Sequence, residues 1–170
     1  MKIKKIHIIG GPGSGKSYIS NRLSNSLKIP YYDLDDLHWN NKSKKYNIKI
    51  PEDVRDKNLK KILKKDRWII EGVYYKWVQN SFSKADIIIV LKVGVYTRAW
   101  KILKRFILRK LGLAKAKKES IRDLIDLLKW NNTYDNDWLI KTEANIKKFK
   151  RKTKYFNKAD YAINYILNFV

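Results

Sequence analysis

The chain has no cysteine among its 170 residues. That absence excludes a disulfide framework, a thiolate zinc site and a cysteine nucleophile, and it suits a reducing compartment. Three prolines and seven glycines are too few for a collagen-like or linker-like chain. Long apolar runs are missing as well. The densest, Ile87 to Leu91, falls far short of the roughly 20 residues that span a bilayer. Lys2, Lys4 and Lys5 imitate the start of a signal peptide. The apolar stretch behind them is interrupted by His7 and stops at Gly10-Gly11, which is too short for an h-region. The expectation is a cytoplasmic protein with no membrane segment. Acids are scarce too: 39 Lys+Arg against 16 Asp+Glu give a net charge of +23.

What is present argues for a folded domain. At 44% hydrophobic and 13% aromatic, the chain is too apolar to be disordered despite its charge. Its length predicts one domain over residues 1–170, burying roughly 70% of the unfolded chain's surface. Only eight of the basic residues are Arg (22, 55, 67, 98, 105, 109, 122 and 151). The rest are Lys, and Lys, Ile and Asn share A/T-rich codons, so a biased genome accounts for much of the charge. A field this positive still attracts polyanions at low salt, which predicts weak, non-specific nucleic-acid binding.

The apolar pattern alternates between strands and helices. Ile3 to Ile9 reads as a short buried strand, followed by a Gly-rich loop and a helix from Lys16 to about Leu27, with Ile19, Leu23 and Leu27 four apart. Tyr31 to Asp33 reads as a second strand and Asn40 to Ile50 as a polar loop. Pro51 with Glu52 and Asp53 marks a helix start, where the dipole favours acids; this helix runs through Val54 and Leu59 to about Lys65. Trp68 to Ile70 is a third strand, Tyr75 to Phe82 a short helix, and Ile87 to Leu91 a fourth strand, apolar throughout as in a sheet covered on both faces. Val95 to Leu111, Ser120 to Trp130 and Tyr134 to Arg151 read as helices, and Tyr161 to Tyr165 as a last strand. Strands alternating with helices imply an α/β, doubly wound, mainly parallel five-stranded sheet.

One motif is strong. Gly10-Gly11-Pro12-Gly13-Ser14-Gly15-Lys16-Ser17 matches G-x-x-x-x-G-K-[ST] in full, between an apolar strand and an amphipathic helix. Such a loop turns successive N–H groups inward around phosphate, and the helix N-terminus adds partial positive charge. Gly10 to Ser17 with Tyr18 are therefore the candidate residues for ATP or GTP. Lys16 would reach the β- and γ-phosphates, and Ser17 would ligate Mg²⁺. No N-K-x-D base-recognition motif of a GTPase is present.

An acidic cluster, Asp33-Leu34-Asp35-Asp36, follows the second strand, with Leu37, His38 and Trp39 behind it. In a doubly wound sheet this segment lies at the carboxyl edge, where ligands bind. Asp35 is the candidate to face an acceptor or take its proton, and Asp33 to support Mg²⁺ through water. Which of Asp33, Asp35 and Asp36 makes each contact stays open.

Over most of its length the chain resembles small P-loop kinases related to adenylate kinase, specifically the DNA topology modulation or FlaR-related proteins. The resemblance rests on the Gly10–Ser17 loop, Ile29-Pro30, Leu34-Asp35 with Leu37 and Trp39, Trp68 to Tyr74, Ala85-Asp86 and the basic helix Trp100–Arg109. It implies a nucleoside- or nucleotide-kinase-like fold with strand order 2-3-1-4-5, a helical lid at about residues 105–120, and ATP-dependent phosphotransfer with Mg²⁺. Glu71 stands where that pattern has Asp, and would orient a Mg²⁺-bound water. Val73 stands where it has Asn.

Adenylate kinases hold a monophosphate acceptor with an Arg after the second strand and another in D-G-F-P-R. This chain has no Arg between Arg22 and Arg55, and carries Tyr74, Tyr75 and Lys76 at the second place. Lys lacks the bidentate fork, so a neutral nucleoside or polyol acceptor is expected over AMP. Trp39, Tyr74, Tyr75 and Trp77 are candidates to stack on it. Arg98, Lys101, Arg105 and Arg109 recur three or four apart on one helix face. Arg105 and Arg109 are the candidates to close over the transferring phosphoryl group, with Lys115, Lys117 and Lys118 in the connection beyond. The alternative is a nucleic-acid-associated P-loop ATPase, which requires a contiguous basic surface.

Overall fold

The computed structural model describes residues 3–40, 48–113 and 120–169. Five strands form one parallel sheet in the order β2-β3-β1-β4-β5, as the resemblance implies. They are β1 (Lys5–Gly10), β2 (Tyr31–Asp33), β3 (Trp68–Gly72), β4 (Ile87–Leu91) and β5 (Thr153–Phe156). The helices are α1 (Lys16–Leu27), the single turn α2 (Asp35–His38), α3 (Glu52–Leu63), α4 (Gln79–Lys84), α5 (Val95–Lys110), α6 (Ile121–Thr133), α7 (Trp138–Ile146) and α8 (Ala159–Leu167). A 3₁₀ segment, Lys147–Lys152, joins α7 to β5.

Alternate residues of each central strand enter different cores, which is why β4 is apolar at every position. Ile88 and Val90 pack with Leu34, Leu59, Phe82, Tyr134 and Leu139 on one face. Ile87, Ile89 and Leu91 pack with Ile19, Leu23, Ile163 and Ile166 on the other. Burying an Ile side chain contributes about 1.5–3 kcal/mol, so both faces favour this register. The strand order reverses beside β1, opening a crevice at the carboxyl ends of β1 and β3. The Gly-rich loop and the acidic segment both emerge there.

Two elements differ from the sequence reading. Tyr161 to Tyr165 is not a strand but part of α8, whose Ala162, Ile163 and Ile166 face the core at helical spacing. The last strand is Thr153–Phe156, hydrogen-bonded along β4 at the sheet edge. The helix expected to continue to Arg151 stops at Ile146 and tightens into the 3₁₀ segment. The short helix after β3 also starts later, at Gln79. Before it, Tyr75 is buried and the Val73 carbonyl accepts the Trp138 indole N–H at 2.6 Å, which pins that stretch as a turn.

Candidate functional site

The loop between β1 and α1 has the conformation its glycines predict. Gly13 has φ +70, and a Cβ there would lie 2.6 Å from the carbonyl oxygen of Arg98. Only glycine meets both demands, a left-handed backbone and direct contact with another main chain. Ser14 is buried, and no hydrogen-bond partner satisfies its hydroxyl. The Lys16 ammonium folds back over the loop and donates to the Gly11 carbonyl at 3.0 Å. Ser17, at the exposed start of α1, donates its hydroxyl to Glu71 Oε1 at 2.5 Å. Pro12 is buried, whereas Tyr18 is exposed and its phenol approaches Asp160 at 3.4 Å.

The parallel pairing of β2 with β3 sets Asp33 opposite Glu71. The chain then turns: Leu34 N–H donates to the Glu71 carbonyl at 2.9 Å, and Asp35 N–H donates to Asp33 Oδ1 at 2.9 Å. The Tyr74 hydroxyl donates to Asp35 Oδ1 at 2.8 Å. Burial, then the charges of Glu71 and Asp35, push the Asp33 carboxyl up to about 7. Burial also raises Glu71, opposed by the Lys16 charge and the Ser17 hydrogen bond. Two carboxylates held up in this way, beside a hydroxyl and an ammonium, favour a cation between them.

Among the described residues no group of three or more His, Asp or Glu side chains is arranged to hold a metal. Mg²⁺ is commonly held by one or two carboxylates together with substrate phosphates and water. Ser17, Asp33 and Glu71 are the residues that could form such a set. The loop glycines, the buried Ser14 hydroxyl and Lys16 supply the phosphate side, so the residues present fit Mg·ATP.

Beside Asp35 stands an aromatic group. His38 packs against Trp39, Tyr74 and Trp77 with ring centroids 4.6, 4.9 and 6.4 Å away. Arg55, buried on α3, lies over the Trp77 ring at 4.6 Å and bonds to Asp56 at 2.8 Å and Glu52 at 3.4 Å. Burial and the charges of Lys49 and Arg55 hold His38 below its ordinary value. Tyr75 turns away into the core against Trp138. Residues 41–47, within the expected Lys/Asn loop, lie outside the described residues; Trp39 and Lys49 on either side form an antiparallel bridge.

The basic helix divides. Arg98 is not on a solvated face: its side chain is 1% exposed. It donates to Asp135 Oδ1 at 2.8 Å and Oδ2 at 3.1 Å, to Asn131 Oδ1 at 2.7 Å, to the Asn131 carbonyl at 3.0 Å and to the Val93 carbonyl at 2.6 Å. Its guanidinium and the Tyr134 ring close over Gly11, where a Cβ would meet Tyr134 at 2.9 Å and Arg98 Nε at 3.2 Å. The reason is spacing: Asn131 and Asp135 are four apart at the end of α6 and present acceptors to one planar fork. Arg105 is exposed and Arg109 half-buried. They lie seven and eleven residues on, about 10 and 16 Å further along the axis of α5. Lys115, Lys117 and Lys118 lie outside the described residues. The sequence put Arg98 on the basic face of its helix without its buried role, and it did not single out Arg55. Their carboxylate partners were visible in sequence only for Arg55, as Glu52 and Asp56 on the same helix.

Comparison with known proteins places the chain among bacterial relatives. It is 31% identical over 134 residues to a protein of Bacillus subtilis (strain 168) named "Uncharacterized protein YqaC", spanning 78% of this chain and 74% of that one. Among solved structures, an uncharacterized protein from Eubacterium ventriosum superposes with a TM-score of 0.54 at 15% identity, covering 98% of this chain and 97% of that one; the two share a fold. A gluconokinase from Sinorhizobium meliloti aligns with a TM-score of 0.46 at 13% identity, over 83% of this chain and 98% of its own. No protein-family model matches.

Proposed function

We propose that this chain, which belongs to the family of the Bacillus subtilis protein YqaC, transfers the γ-phosphoryl group of ATP to a hydroxyl of a small uncharged acceptor. A nucleoside or another polyol is the class expected, as in the P-loop kinases related to adenylate kinase that its sequence resembles. One observation carries the reading: Lys16 folded over the Gly-rich loop and Ser17 bonded to Glu71 at 2.5 Å place a cation and a hydroxyl–carboxylate pair where a nucleoside triphosphate would bring its phosphates. Lys16 stabilises charge on the β- and γ-phosphates. Ser17, Asp33 and Glu71 hold Mg²⁺, the last two through water. Mg²⁺ held there would supply charge neutralisation for the phosphates during transfer.

Asp35, fixed by Tyr74, accepts the proton of the attacking hydroxyl. A phosphorylated acceptor would meet Asp33, Asp35 and Asp36, whereas Arg55 is already committed to Glu52 and Asp56. His38, Trp39 and Tyr74 offer flat surfaces to the acceptor. Arg105 and Arg109, near the end of α5, are the cations that would approach the transferring group.

The test is ATP consumption screened over nucleosides, nucleotides and polyols, with Lys16→Ala alongside. An acceptor-dependent signal that falls about 10²–10³-fold in the variant, the scale of losing one preorganised charge, supports the reading. Wild-type turnover in Lys16→Ala removes it.

A further inference from the structure

The five strands run parallel, so their amino ends share one edge, opposite the Gly-rich loop. Each strand is preceded by basic residues. Across the sheet order these include Lys28 before β2, Lys64 before β3, Lys4 before β1, Lys84 before β4, and Lys148 and Lys150 before β5; all six are exposed. At about 4.8 Å between strands, they form a ridge about 20 Å long. Sequence alone scatters these lysines between positions 4 and 150; the parallel topology gathers them.

Acids on this edge are few. Among the described residues, Asp66 and Asp86 line a cleft here, and Asp86 accepts from the backbone N–H groups of Lys4 and Lys5 at 2.8 Å each. Helix C-termini also point here, α1, α3 and α4 among them, and their partial negative charge accounts for a lysine each. Lys152 also serves a helix end, donating to the Ser83 and Ala85 carbonyls at 2.7 and 2.6 Å; Lys147, Lys148, Lys150 and Arg151 are left without such a role. Two clefts open along the ridge. One, of about 580 Å³, is lined by Lys147, Lys148, Lys150, Gln79 and Asn145. The other, of about 480 Å³, is lined by Lys4, Lys5 and Lys84 with Asp66 and Asp86.

We infer that this edge is a docking surface for the phosphate backbone of double-stranded nucleic acid, separate from the nucleotide site. The aromatic within the lysine run, Phe149, is packed against the core, so it offers no platform for unstacked bases; single strands gain much of their affinity that way. The apolar residues between the lysines, Ile29, Ala85 and Ile146, are buried and offer nothing to a bilayer. Point charges in a row suit phosphates, through counterion release and without sequence preference. The inference stands whether or not the chain is a kinase.

The experiment compares two variants of equal net charge, read by anisotropy of a labelled mixed-sequence DNA duplex over a salt series. The first carries Lys→Gln at 4, 64, 84, 148 and 150, and the second carries Lys→Gln at 57, 101, 104, 129 and 141. The ridge variant should bind at least about tenfold more weakly near 50 mM salt. Its log–log salt slope should be shallower by about 0.9 per phosphate contact removed. The second variant should stay within about threefold of the parent, and both should keep the parent's affinity for Mg·ATP. Equal losses in the two variants, or none in the ridge variant, would overturn the inference. So would ridge-dependent binding to phosphatidylserine vesicles as strong as that to the duplex. Should the fivefold ridge variant melt early, Lys148→Gln with Lys150→Gln decides against Lys101→Gln with Lys104→Gln by the same comparison.

Discussion

Asp35 is fixed from two sides: its backbone N–H binds Asp33 and its carboxylate takes the Tyr74 hydroxyl. Burial, then the Asp35 charge and the hydrogen bond to it, push the Tyr74 phenol well above its ordinary value, so Tyr74 stays protonated and keeps donating. A carboxylate held this way keeps its orientation. Asp35→Asn retains the shape and removes the charge and the basicity. Transfer to the acceptor should fall steeply while the affinity for Mg·ATP, measured by titration, stays close to the parent's. If Asp35 instead supports the metal, that affinity falls as well. If it only shapes the turn, kinetics stay near the parent's and stability drops by about 0.5–2 kcal/mol. The Gly-rich loop and the Asp33–Asp36 segment were legible in the sequence because each is contiguous. The grip of Asn131 and Asp135 on Arg98 was not, since the partners lie 33 and 37 residues away and a planar fork recognises geometry that no local spacing encodes.

At the scale of elements, β1 and the α5–α6 pair carry the consequences. His7 sits in the middle of β1 with no exposure, its Nδ1 on Ser81 Oγ and its Nε2 without a partner. Burial holds it down to about 3, against 6.5 for a free histidine. The ring is therefore neutral in the fold and takes up a proton readily only after unfolding. Its contribution is complete above about pH 6.5 and is lost as pH falls toward 3, on the order of 4 kcal/mol over the whole window. The raised Asp33 and Glu71 carboxyls gain stability over the same range, so the histidine is read by difference: between pH 7 and pH 4 the urea midpoint of the parent should fall relative to that of His7→Gln.

Arg98 makes the second case. Asp135→Ala leaves a buried guanidinium short of its charge partner and should cost about 3 kcal/mol. Because Gly13 rests on the Arg98 carbonyl, nucleotide affinity should fall in the same variant while it is still folded, as titration below its melting temperature would show. Strands β3 and β4 and helix α1 were readable from periodicity alone. The β5–α8 pair was not: Thr153–Phe156 is a four-residue edge strand behind a basic run, and the α8 period emerges only when Ile166 is counted with Ala162 and Ile163.

At the scale of the whole molecule, the chain's excess charge is not evenly laid out. Asp33, Asp35, Asp36 and Glu71 stand at the carboxyl ends of the strands, and Lys4, Lys28, Lys64, Lys84, Lys148 and Lys150 precede their amino ends, an order that composition cannot express. The six residues of β1, at about 3.3 Å each, set the two edges roughly 20 Å apart. The strand thus works as an electrical spacer whose effectiveness depends on the medium. Near 0.15 M salt the screening length is about 8 Å, so the edges are deaf to one another; near 0.01 M it is about 30 Å and the insulation fails. A polyanion such as heparin, added to saturation, should leave the Mg·ATP affinity unchanged at the higher ionic strength. At the lower one it should weaken that affinity, because a negative charge that covers the lysines then lowers the potential felt by the triphosphate. Parallel titrations at the two salt concentrations would read this directly: the length of a single strand sets the ionic strength at which two ligands begin to sense each other.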